Sequence, residues 1–179
     1  MKKESSAAKN PQSPMKEIKL GKVIVNIGLK DSGEHVERAF TFVEKLTGRK
    51  PIKTLSTQRA RTFRLRKGLP IGVKVTIRNK EALEFLKKVL PAVENKVRAS
   101  SFDNEGNFGF GIKEHLDIPG QKYDPKLGVF GLNVNAALVR RGFRIKMRKI
   151  RKSRIGQPQR ITKTEAVEFV KNSLGLKVV

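Results

Sequence analysis

Ile71-Gly72-Val73-Lys74-Val75-Thr76-Ile77-Arg78 alternates without a break. At a period of two, Ile71, Val73, Val75 and Ile77 fall on one face of a strand, and Gly72, Lys74, Thr76 and Arg78 fall on the other. A strand that is apolar on one side and basic on the other belongs in a sheet with a core on a single face. The flanking residues extend this into a hairpin: Phe63 and Leu65 start it, Lys67-Gly68-Leu69-Pro70 turns it, and Ile71 to Arg78 returns.

Working outward, Lys22 to Ile27 spells another strand, ending at Gly28. From Ser32, the positions Val36, Ala39, Phe40, Val43 and Leu46 follow helical spacing, and Gly48 stops that helix. Arg49-Lys50-Pro51 opens a polar, basic stretch to Arg61. Residues 81–97 predict a second helix with Leu83, Leu86, Val89, Leu90 and Val93 inward and a kink or break at Pro91. The Gly- and Phe-rich residues 100–124 suit strand fragments, and Val129 to Val139 a further strand or pair. Phe143, Ile145 and Met147 alternate with Arg144, Lys146 and Arg148, which predicts a second strand with one basic face. Thr162-Lys163-Thr164-Glu165 is a capping box opening a last helix that Gly175 closes. Residues 1–15 carry no periodicity and are expected to form a disordered tail ahead of a single domain, 16–179. The order of elements predicts an α+β fold: a mainly antiparallel sheet, helices packed on one face, an open basic face and an extended basic loop.

Charge says what the open face meets. Residues 45–80 contain 12 Lys and Arg and no acid, and residues 125–164 repeat that count. The remainder balances at 16 of each sign, so the formal +24 comes from those two windows. Concentrated positive surfaces imply a polyanionic partner, and Lys74, Thr76 and Arg78 on one strand face need something to neutralise their repulsion. A membrane surface fits less well, because the basic residues lie mostly in strand-like and loop-like sequence rather than on an amphipathic helix. Residues 53–67 and 148–160 look like basic loops able to reach a nucleic-acid backbone. With no Trp, one Tyr and most Phe at core-compatible positions, shape and backbone recognition of folded RNA fits better than stacking on splayed bases.

Other classes find little support. The absence of Cys excludes disulfides and thiolate metal sites. No stretch approaches the ~20 apolar residues of a membrane span, and no apolar run follows Met1, so the chain reads as soluble and intracellular. Asp103, Glu105, Glu114, Asp117 and Asp124 with His115 are the best candidates for a metal-dependent nuclease, but no metal-ligand spacing among them is distinctive. The run from Gly106 to Gly111 lacks the Lys-Ser/Thr of a phosphate loop. A chromatin-like DNA-binding protein is the alternative binding module.

Ordered motifs make the reading specific. KVIVNIG (22–28), LTGRKP (46–51), TFRLRKGLPIGVKVTIR (62–78), FDNEGNFGFGIKEHLDIPGQKYDPKLGVFGLNV (102–134) and ITKTEAVEF (161–169) follow one another. Together they closely resemble ribosomal protein L-five, the 5S-rRNA-binding family of the large subunit, in wording closest to its archaeal and eukaryotic branch and in length to the archaeal one. The resemblance implies a non-catalytic, cytoplasmic, ribosome-bound protein of the central protuberance that helps attach 5S rRNA. It further implies contacts with large-subunit rRNA, with P-site tRNA and with neighbouring ribosomal proteins, one of them in the small-subunit head. No cofactor, metal or small-molecule substrate is implied. By motif, the rRNA-facing residues would be Asn26, Arg49, Lys50, Lys74, Thr76 and Arg78. The tRNA-facing loop would comprise Gln58, Arg59, Arg61, Thr62, Phe63, Arg64, Arg66 and Lys67. Arg49 stands where the family commonly has Gln, Arg64 where many members have Gly, and Leu55 to Ala60 departs from the pattern.

Overall fold

The computed structural model describes residues 14–29, 33–62, 65–121, 123–125 and 127–179. In chain order its elements are β1 (Ile18–Gly28), α1 (Glu34–Thr47), β2 (Ile52–Leu55), β3 (Pro70–Arg78), α2 (Asn79–Val89), β4 (Lys96–Val97), β5 (Phe108–Ile112), β6 (Leu132–Arg140), α3 (Arg144–Met147), α4 (Lys163–Leu174) and β7 (Lys177–Val178). Five strands form one antiparallel sheet in the order β2-β3-β1-β6-β5, and β4 and β7 form a short parallel pair. The fold is α+β, as the sequence predicts.

One face of the sheet carries the core. Val23, Val25 and Ile27 of β1, Val73, Val75 and Ile77 of β3, and Leu132, Val134, Ala136 and Leu138 of β6 are all buried. Helices α1 and α2 supply the other half through Val36, Ala39, Phe42, Val43 and Leu46, and through Ala82, Phe85, Leu86 and Val89. Each of the Val, Leu, Ile and Phe side chains contributes about 1.5–3 kcal/mol by leaving water, so strict alternation in the strands fixes which face is covered. Gly48 ends α1 in the left-handed conformation (φ 66°), with its N–H on the Glu44 carbonyl. Phe42, rather than Phe40, enters the core; Phe40 stays half-buried, with the Lys53 ammonium 5.8 Å from its ring centre.

Three expectations need correction. First, Phe143 to Arg148 is not a strand: α3 is a single helical turn, with Met147 74% exposed. Alternation there has no neighbouring strand to pair with, because β6 stops at Arg140 and a turn through Gly142 (φ 93°) redirects the chain. Arg144, Lys146 and Arg148 therefore do not share a strand face. Second, β3 pairs with β2, in the register Ile52↔Lys74, Lys53↔Val73 and Thr54↔Gly72, while Leu65 bridges Ala60 and the expected first residue of the hairpin, Phe63, lies outside the described residues. The four residues of β2 read apolar, polar, polar, apolar (Ile52-Lys53-Thr54-Leu55), which lacks the alternation that would mark them. Third, the helix expected over 81–97 starts at Asn79 and ends at Val89; Pro91 then holds a 3-10 turn over Leu90–Val93, and β4 follows. The final helix is as expected: Thr162 accepts from the Glu165 N–H at 3.4 Å, Glu165 accepts from the Thr162 N–H at 2.9 Å, and Gly175 closes it with φ 65°. Of the expected tail, residues 1–13 lie outside the described residues, whereas the Met15 carbonyl accepts from Gln159 Nε2 at 2.7 Å.

Candidate nucleic-acid interface

The uncovered face of the sheet is a lattice set by strand register. One row runs Ile52, Lys74, Asn26, Asn133, Gly111; the next runs Thr76, Ile24, Asn135, Gly109; the third runs Arg78, Lys22, Ala137. Lys22, Lys74 and Arg78 are exposed, and Thr76, Ile24 and Asn26 are half-buried. Among the described residues, no carboxylate pairs with Lys22, Lys74 or Arg78. The β3 and β1 side of this face is thus positive and unneutralised. Its β6 and β5 side is neutral amide above glycine, a surface low enough for a sugar-phosphate backbone to approach closely.

Register brings Asn26, Lys74, Thr76 and Arg78 together, as their alternation requires. Asn26 lies directly opposite Lys74, and Lys22 opposite Arg78. Arg49 and Lys50 approach from the side, because the chain enters β2 from the Arg78 end of β3. Lys50 is exposed, but Arg49 is engaged: its guanidinium bonds Glu81 Oε2 of α2 through Nε at 2.7 Å and through a terminal nitrogen at 2.6 Å. Sequence reasoning missed Lys22, Asn133 and Asn135. The signal was available, since Leu132, Val134, Ala136 and Leu138 alternate with Asn133, Asn135, Ala137 and Val139.

The basic loop forms a second surface at the opposite end of β3. The residues joining β2 to β3 make a tongue whose root is tied by Ser56 N–H to the Leu69 carbonyl (2.8 Å) and Gly68 N–H to the Ser56 carbonyl (2.9 Å). A reciprocal pair of bonds between Ala60 and Leu65 narrows it towards its tip. Gln58, Arg59, Arg61, Thr62, Arg66 and Lys67 are exposed along it, while Phe63 and Arg64 lie outside the described residues. The tongue and the lattice are therefore separate surfaces.

The 144–160 segment is also basic, and it is fastened. Ser153 N–H donates to the Ile145 carbonyl, Arg148 Nε to the Arg151 carbonyl, and Gln159 Nε2 to the carbonyls of Met15 and Arg141. Buried Arg140 donates to the Arg160 carbonyl at 3.1 Å and to Glu165 Oε1 at 2.7 Å. Partial burial pushes the Glu165 carboxyl up. The Thr162 backbone N–H, the Arg140 guanidinium and the Thr162 hydroxyl outweigh that and hold it below its ordinary 4.5.

Nothing in the described residues assembles a catalytic centre. His115 is buried against the edge of Phe42, ring centres 4.6 Å apart, and its Nδ1 accepts the Phe130 N–H at 3.2 Å. It is a core residue with its acceptor used. Among the described residues, no three His, Asp or Glu side chains gather closely enough to hold a metal ion, and no helix is long and apolar enough to cross a membrane.

Two family models match the chain in tandem. One, described as ribosomal protein L5, covers residues 13–66, and the other, for the C-terminus of the same ribosomal protein family, covers residues 70–172. Their boundary falls in the tongue, so the sheet is shared between them. The chain is 48% identical to the large ribosomal subunit protein uL5 of Sulfurisphaera tokodaii, over 93% of this chain and 95% of that one. It is 48% identical to the Sulfolobus acidocaldarius protein of the same name, over 94% of each. Against its Nanoarchaeum equitans counterpart the identity is 44%, over 94% of this chain and 99% of the other.

Proposed function

The chain belongs to the ribosomal protein L5 family, and on that premise we propose that its open sheet face grips 5S rRNA and helps attach it in the central protuberance of the large subunit. Membership makes it a structural, rRNA-binding protein of that subunit and not an enzyme. The observation that carries the finer reading is the lattice, where Lys22, Lys74 and Arg78 stand without carboxylate partners beside Asn26, Thr76, Asn133 and Asn135. Cations hold the phosphates, and the amides and hydroxyl can bond ribose hydroxyls, which DNA lacks at the 2′ position. In this reading Arg49 contacts rRNA only where phosphate competes with Glu81, and Lys50 extends the positive edge.

The tongue is the second surface. Its exposed Arg59, Arg61, Arg66 and Lys67, with Gln58 and Thr62, suit the backbone of P-site tRNA at a distance from the sheet. Large-subunit rRNA, a bridge to a protein of the small-subunit head and a cytoplasmic setting rest on the family resemblance alone. Binding of the purified protein to 5S rRNA and to an unrelated RNA duplex at physiological salt tests the main proposal. Preference for 5S rRNA, lost in Arg78→Ala and kept in Arg61→Ala, is expected. Equal affinity for both RNAs would sink it.

A further inference from the structure

A cavity of 480 Å³ opens between the turn at residues 103–107 and the fastened basic segment. Its size falls within the roughly 300–1,000 Å³ usual for small-ligand sites. Phe143, Ile155 and Ile161 give it apolar walls, and Lys146, Lys152, Arg154 and Arg160 give it cations. One carboxylate, Glu105, lies at the same site, 3.4 Å from the Lys146 ammonium. Among the described residues no carboxylate pairs with Lys152, Arg154 or Arg160.

The walls are held in place. Gly106 N–H bonds the Asp103 carbonyl at 3.0 Å, and Asp103 N–H bonds the Asn107 carbonyl at 2.8 Å. A Cβ on Gly106 would meet Ile161 Cγ2 at 2.7 Å, so turn and wall are in tight contact. A larger trough shares Glu105, Phe143, Lys146 and Lys152 with the cavity and continues across Lys22, Ile24 and Asn135 of the lattice. The cavity is thus an extension of the surface assigned to RNA.

We propose that this cavity receives one unpaired nucleotide of an RNA strand lying on the sheet, its base against Phe143 and its phosphates on Lys152 and Arg154. The inference rests on the RNA-binding reading of the sheet. A concave apolar lining takes the face of a base, while the surrounding cations take the phosphates on either side of it. Glu105 and the Ser153 hydroxyl, both in the lining, can accept from a ring or exocyclic N–H. An acidic peptide would satisfy the cations but leave the apolar lining unfilled.

The test uses the full chain with isotope-labelled isoleucine methyl groups. It is titrated with a single-stranded hexaribonucleotide, with that strand annealed to its complement, and with hexaglutamate. Single-stranded RNA alone is expected to shift the Ile155 and Ile161 methyl signals. Phe143→Ala is expected to weaken single-strand binding about tenfold, the scale of losing one base-stacking contact, while duplex affinity stays unchanged. Lys152→Ala, an exposed position, provides a variant that keeps the fold and should weaken the single strand more than the duplex. Equal methyl shifts with the duplex or with hexaglutamate, or equal losses for both RNAs, would overturn the proposal. Arg78→Ala separates the two readings. If it leaves duplex binding intact while the methyl shifts persist, the sheet assignment fails and the cavity stands.

Discussion

At the residue scale, two arginines of the same acid-free window end in different electrostatic situations. Arg78 projects from the open face with no carboxylate partner, whereas Arg49 is held by Glu81. Arg78→Ala and Lys74→Ala are each expected to lower the slope of log binding constant against log salt by about one, as for a lost phosphate contact. Arg49→Ala should change that slope less, because its charge is already largely balanced. Salt titrations of 5S rRNA binding with the three variants check this. Gly72 illustrates a different constraint: a Cβ there would meet the Ile27 carbonyl at 2.5 Å and Thr54 Oγ1 at 2.9 Å. Since the nearer atom is backbone of the adjoining strand, Gly72→Ala is expected to destabilise the fold by about 1–3 kcal/mol, read as a lower denaturant midpoint with an unchanged m-value.

Among the elements, α4 joins stability to pH. Thr162→Ala removes its cap and should cost about 1 kcal/mol in thermal or chemical unfolding. The Glu165 carboxyl is held below its ordinary 4.5 in the folded chain, so its contribution is fully present above that value. It disappears as pH falls through the lower folded value. Glu165→Gln should therefore reduce stability at neutral pH and flatten the acid limb of a stability-versus-pH curve; an unchanged acid limb would contradict this. Elements also show where sequence is legible. β3, β1 and α4 could be read because alternation, helical spacing and a capping box are local signals. Residues 143–148 alternate just as clearly yet turn into a short helix, because alternation records two faces and not the presence of a neighbour to bond. β2 is the converse, a strand created by the edge of β3 and not by any alternation of its own. The lattice was half legible for the same reason: Lys74, Thr76 and Arg78 are neighbours in sequence, while Asn133 and Asn135 join them only through the pairing of β6 with β1.

For the whole molecule, the formal charge of +24 makes solution conditions part of the energetics. Screening shortens from about 10 Å at 0.1 M salt to about 3 Å at 1 M, so the free protein should become more stable as salt rises over that range. RNA binding should weaken over the same range. Opposite salt trends in unfolding and in binding are the signature expected of a positive platform that a polyanion neutralises. If free-protein stability fell with salt, self-repulsion would not be the governing term. The concentration of charge was visible in the sequence as two acid-free windows, the first of which supplies both the tongue and the β3 side of the lattice. Their placement was not, because the tongue and the fastened segment reach opposite ends of the sheet only once five strands have been ordered.

That ordering has a consequence for biosynthesis. The central strand, β1, finds one neighbour in β3 and the other in β6, so Val25 lies opposite both Val75 and Val134. While a ribosome is still making the chain, its earliest strand must wait, with one greasy flank unzipped, until about three-quarters of the chain has emerged. Nascent chains halted before Leu132 should accordingly be protease-sensitive and prone to clump, and those released beyond Arg140 should not.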